Sequence, residues 1–188
     1  MNRSTVLAIL AFSFSPLLSA PSHADRICAP LTFYTKNIQR SFTPAGPPGP
    51  VGDTVYANGE IFQSASSSAL SLGVFDLSAF ATSADGTSER RQVFIEMSFN
   101  EAFRKKAPQL RHRCGFNALP RATLLAPNDA LNMMGVETYP PDGAILTSPI
   151  YFGITSGTGL FMGARGTVKI SYNPSTQIFT YTISLLSQ

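Results

Sequence analysis

Ser156-Gly157-Thr158-Gly159-Leu160-Phe161-Met162-Gly163-Ala164-Arg165-Gly166-Thr167-Val168-Lys169-Ile170 is the stretch on which the fold of this chain turns. Its glycines lead into a run in which Val168, Ile170 and Tyr172 alternate with Thr167, Lys169 and Ser171. A period of two is that of a β-strand with one apolar face. A P-loop would carry Lys and then Ser or Thr after its second glycine, whereas Ala164 and Arg165 follow Gly163. A dinucleotide fingerprint is GxGxxG opening a helix, and here GxGxxxG opens a strand. The glycines therefore fit sharp turning and close strand approach at a hairpin mouth or barrel corner. They frame one cation, Arg165.

Outward from this stretch, almost everything reads as strand. Strands are expected over Leu31 to Ile38, Thr54 to Phe62, Ala69 to Ala81 and Arg90 to Asn100. They resume over Ala130 to Thr138, Pro149 to Thr155, Ala164 to Tyr172 and Gln177 to Leu186. The clearest is the fourth, where Val93, Ile95, Met97 and Phe99 alternate with Phe94, Glu96 and Ser98. A Pro/Gly loop from Thr43 to Gly52 and the turn Asn173-Pro174-Ser175-Thr176 punctuate the run. Residues 102–129 form a basic insertion carrying Arg104, Lys105, Lys106, Arg111, Arg113 and Arg121, with a short helix expected at Glu101 to Lys106. About eight strands joined mostly by short turns close naturally into an antiparallel barrel, an all-β fold without free edges.

The pattern Gly157-Thr158-Gly159-x-Phe161-x-x-Ala164-Arg165-Gly166, followed by two strands, resembles the dirigent proteins of the allene oxide cyclase barrel superfamily. Weaker echoes run upstream in the same order: Leu31-Thr32-Phe33-Tyr34, Val51-Gly52-Asp53-Thr54 and Asn58-Gly59-Glu60-Ile61-Phe62. The resemblance spans Leu31 to Leu186 with the insertion. It implies the same closed eight-stranded barrel, and stereocontrol over phenolic or lipid-derived intermediates with no metal or organic cofactor. It also implies that a separate oxidase supplies radicals and that the barrels associate as homo-oligomers, trimers especially. Many dirigent proteins carry Asp directly after the Gly-Thr-Gly, and Leu160 stands there in this chain.

Bulk properties bound the rest. The 188 residues suit one domain with a proper core. Arg3, the apolar run Val6 to Leu18 and Ser22-His23-Ala24 read as a secretory signal over 1–24, leaving a single barrel domain at 25–188. That run is too short and too interrupted to span a bilayer, and no other segment reads as a membrane helix. A secreted protein is expected, in the apoplast, cell wall or extracellular medium, or in the periplasm of a bacterium. The formal net charge of +3 gives no nucleic-acid signature. Cys28 and Cys114 are expected to form a disulfide, closing a loop of about 85 residues worth on the order of 4 kcal/mol. His112, flanked by two arginines, has no second His or paired Cys at ligand spacing, and no hydrolase or metalloprotease signature appears.

The candidate catalytic residues are Arg165 and Asp53. Arg165 suits a carbonyl, phenolate or carboxylate of a ligand, although its parity sets it with Thr167 and Lys169 and opposite the apolar face. Asp53, at the mouth of the second strand, suits a general acid if burial raises its pKa, or else a turn beside Gly52. Tyr56, Tyr151, Glu96 and Phe161 form the candidate ligand-binding set; Glu60 and Glu96 are the acids that would stand in for the one absent at Leu160. A small hydrophobic or phenolic ligand held in the barrel is the expected partner. The alternative is a secreted carrier or interaction module that binds without catalysis.

Overall fold

The computed structural model describes residues 30–46, 51–66, 68–84, 88–106, 129–139 and 149–186. The segment read as a signal, the expected Cys28–Cys114 pairing, His112 and most of the basic insertion lie outside these residues.

Eight strands form one closed antiparallel barrel in which each pairs with its neighbours in sequence and the last returns to the first. They are β1 (Leu31–Thr43), β2 (Thr54–Phe62), β3 (Ser71–Ala84), β4 (Glu89–Phe99), β5 (Asp129–Tyr139), β6 (Ile150–Gly157), β7 (Gly166–Asn173) and β8 (Ile178–Leu185). Among the described residues, one short helix, α1 (Glu101–Lys106), follows β4, and one 3-10 turn, Gly159–Phe161, joins β6 to β7. No helix among the described residues is long and apolar enough to cross a membrane.

Alternation fixes which face is inside. Val93, Ile95, Met97 and Phe99 of β4 are all buried, and so are Val168 and Ile170 of β7 and Tyr181, Ile183 and Leu185 of β8. Taking one such large apolar side chain out of water contributes about 1.5–3 kcal/mol. β1 runs five residues past Ile38, where the sequence pattern ends. Asn37 adopts φ 55° and the register slips between Lys36 and Gln39, a bulge that absorbs one residue and lets the ladder resume at Gln39↔Asn58. β7 begins two residues after Ala164, at Gly166, whose φ of 150° and near contact with the Ser184 carbonyl leave no room for a side chain.

The two ends of the barrel differ. At one end α1 and the 3-10 turn carry Phe103 and Phe161 onto Phe33 and Phe99, with Phe99–Phe103 ring centroids 4.3 Å apart and Phe99–Phe161 5.2 Å. Asn100 caps α1 by accepting hydrogen bonds from the Ala102 and Phe103 amides at 2.9 and 3.2 Å. Buried Asp129 ties the two pieces together: one oxygen accepts from Arg104 Nε at 2.5 Å and the other from the Leu160 amide at 3.0 Å. This aromatic floor seals the barrel. The opposite end, where β1, β3, β5 and β7 finish, is the mouth.

Candidate functional site

The inner wall turns from apolar to polar towards the mouth. On β4 the inward positions run Met97, Ile95, Val93, Arg91, Glu89, and on β5 they run Leu131, Met133, Gly135, Glu137. Register places Arg91 directly opposite Glu137. Both Nε and Nη2 of Arg91 donate to Glu89 Oε2, at 3.0 and 2.5 Å, forming a salt bridge with little exposure. One guanidinium therefore faces two buried carboxyls, since Glu89 and Glu137 are 6 % and 4 % exposed.

Glu137 is the chemically distinctive member. Burial pushes its carboxyl up from 4.5 to about 7, against the smaller pull of Arg91. Its Oε2 is buried and has no hydrogen-bond partner among the described residues. An unsatisfied buried polar atom costs about 1–3 kcal/mol unless a ligand or water meets it. Kept neutral up to about pH 7, the acid can donate a proton or a hydrogen bond to an oxygen entering the lumen.

Tyr181 of β8 and Thr35 of β1 are buried inside the barrel on the wall where β8 pairs with β1. Tyr181 is wholly buried, and burial raises its phenol well above the usual range. It feels the charges of both Glu137 and Arg40. The Thr35 hydroxyl lies close enough to influence Tyr181 but outside hydrogen-bonding geometry, and its Oγ1, fully buried, is also unpartnered among the described residues. Gly135 makes room for Phe152: a methyl group there would run into the Phe152 ring, which packs against the bare backbone.

Of the residues expected from sequence, Tyr56 and Glu96 meet at a pocket of about 390 Å³ on the outer wall, with Asn58, Asp76 and Phe94 beside them, and the others lie apart. Asp53 lies at the mouth, 8 % exposed, and its Oδ1 accepts the Ala45 amide at 2.6 Å while its carbonyl accepts Ala81 N at 2.9 Å. Arg165 is exposed at the floor end, and its carbonyl accepts Leu186 N at 2.9 Å. The two therefore do not share a cavity. Tyr56 and Tyr151 stand on the outer surface, 53 % and 66 % exposed. Glu96 is exposed on the outer face and accepts Ser98 Oγ at 3.2 Å, and Glu60 accepts Asn37 Nδ2 at 2.5 Å. Phe161 is buried in the floor and Leu160 packs half-buried beside it. Sequence parity points to Arg91 and Glu137, since Arg91 follows the apolar series Phe99, Met97, Ile95, Val93 on its face and Glu137 shares a face with Leu131 and Met133. Thr35, Tyr181 and Arg40 carry no comparable signal.

The closed eight-stranded antiparallel barrel is a fold this chain shares with solved dirigent and cyclase barrels. The solved structures it matches include pyocyanin demethylase, with TM-score 0.56 and 15 % identity over 84 % of this chain and 99 % of that one. A pterocarpan synthase dirigent protein matches with TM-score 0.55 and 16 % identity over 96 % of this chain and 99 % of that one. The Diels-Alderase AbmU from Streptomyces koyangensis matches with TM-score 0.53 and 12 % identity over 89 % of this chain and 71 % of that one. No protein-family model matches the chain, and no curated protein matches its sequence.

Proposed function

We propose that this protein holds a small, largely hydrophobic intermediate in its lumen and directs the stereochemistry of its cyclisation or coupling. The observation that carries the proposal is Glu137, a buried carboxyl with a pKa of about 7 and a free oxygen, set at the mouth of an apolar lumen. The walls confine the ligand in one conformation. Glu137 then protonates or hydrogen-bonds a carbonyl, phenolate or quinone-methide oxygen as charge develops there, and the Arg91–Glu89 pair fixes the electrostatic setting. A dirigent-type phenolic radical would come from a separate oxidase. Asp53 shapes the rim by holding the Pro/Gly loop through the Ala45 amide, and Arg165, at the far end, has no contact with the ligand.

The N-terminal leader read over 1–24 supports export, and the outer wall supports assembly. Phe80, Phe94, Met134, Val136 and Tyr151 expose an apolar band across β3 to β6, with the Phe80 and Phe94 rings stacked at 6.0 Å. Such a band is suited to burial against another copy, and sedimentation equilibrium tests it.

The function is tested by incubating the mature protein with an oxidase and a panel of phenolic precursors, with product enantiomers resolved on a chiral column. Stereocontrol that Glu137→Gln abolishes while leaving the fold intact is expected. Racemic products from every precursor, alongside tight binding of an unreacted ligand, would overturn it in favour of a carrier.

A further inference from the structure

The barrel wall is not equally tall all round. β1 pairs with β8 only from Leu31↔Ile183 to Thr35↔Phe179, whereas β1 itself continues to Thr43 against β2. Past Thr35 the β8-facing side of β1 has no strand neighbour, because the β7–β8 hairpin turns back at residues 174–177. The gap is a cleft of about 850 Å³ lined by Lys36, Ile38, Gln39 and Arg40 on one side and Tyr172, Gln177 and Ile178 on the other; the Lys36 ammonium is engaged elsewhere, donating to the Ser66 carbonyl and lying over the Phe62 ring.

Arg40 occupies a particular place in it. Its register with Ala57 gives it the inward side of β1, on the face that carries Val55 against the core. Its guanidinium lies over the Phe179 ring, 5.6 Å from the centroid, and Phe179 packs on Tyr172 at 4.5 Å. Among the described residues no carboxylate pairs with Arg40. Beyond Phe179 lie Tyr181, which feels the Arg40 charge, and the buried, unpartnered Thr35 hydroxyl. Arg40 and Tyr172 thus line the cleft, Phe179 packs against both, and behind Phe179, which pairs with Thr35, lie the buried Thr35 and Tyr181 side chains.

We infer that this cleft is the port by which the ligand enters, and that Arg40 holds a carboxylate on the ligand at the rim. The ligand class is then an amphipathic organic acid: its anionic end stays on Arg40, in reach of water, and its unsaturated body runs past Phe179 and Tyr181 towards Glu137. Arg suits this duty because its planar fork grips a carboxylate with two parallel bonds and stacks on aromatic faces. The assignment rests on the lumen reading above and narrows it from any hydrophobic intermediate to an acid.

Calorimetric titration of the full mature chain with 4-hydroxycinnamate and with its methyl ester tests this. The wild type should bind the acid about tenfold or more tightly than the ester, the scale of one charge-assisted contact near the surface. Arg40→Ala should remove that preference and leave the ester's affinity unchanged, Arg40→Lys should restore part of it, and Lys169→Ala should leave it intact. The ester, which makes no use of Arg40, reports on the lumen separately. Ester binding with no preference for the acid overturns the Arg40 assignment and leaves the lumen reading standing. A preference that survives Arg40→Ala does the same. Binding of neither compound overturns both.

Discussion

Replacing Glu137 by Gln removes a carboxyl that the barrel holds protonated up to about pH 7. The sign of its effect on stability follows from the direction of the shift. Below pH 4.5 the group is neutral in folded and unfolded chains alike and has no differential effect. As pH rises past 4.5 the unfolded chain ionises first, while the folded chain keeps its proton, so wild-type stability falls until about pH 7 and is level above. At 1.36 kcal/mol per pKa unit, the interval from 4.5 to about 7 is worth on the order of 3 kcal/mol. The Glu137→Gln variant has no such dependence, since an amide does not titrate. Denaturant melts followed by circular dichroism at half-unit steps should therefore show Glu137→Gln gaining on the wild type by about 3 kcal/mol between about pH 4.5 and 7.5, most of it before pH 7. Every other titrating group is common to both proteins and cancels in the difference. A stability difference that stays constant across this range would refute a raised Glu137.

Three further substitutions probe the frame. Phe103→Ala should cost about 3–5 kcal/mol in denaturant melts, because Phe103 touches Phe33, Phe99 and Phe161 at once and the floor has little with which to refill the space. Gly135→Ala should cost about 1–3 kcal/mol and weaken binding of any lumen ligand in calorimetry, since its methyl group displaces the Phe152 ring. Arg165→Ala should change stability by less than about 0.5 kcal/mol and leave product enantiomeric excess as it was, because the side chain is exposed at the floor end.

Much of the barrel can be read from periodicity. The alternation Val93, Ile95, Met97, Phe99 marks a wall strand, and the glycines of 157–166 mark the crowded corner where Gly166 meets β8. The bulge at Asn37 is not legible, because it needs the pairing partner across the sheet, and β1 consequently reads five residues short. The site is harder, because a lumen is defined by long-range pairing. Arg91 and Glu137 are far apart in the chain and face each other only once β4 and β5 are in register. Motif-based reasoning points instead to Arg165, whose glycine frame is a structural corner. Parity is informative in both directions: it sets Arg165 opposite the apolar face, and applied to Glu137 it sets that acid inside.

The most direct test of the central claim is the enantiomeric excess of product as a function of pH, followed over about two units on either side of the Glu137 pKa, for wild type and Glu137→Gln. With Glu137 as the proton donor, the wild type gives a high excess at low pH that declines with a midpoint at about 7, and Glu137→Gln gives racemic product throughout. An excess that persists undiminished in Glu137→Gln, or a wild-type profile flat across that midpoint, would contradict it.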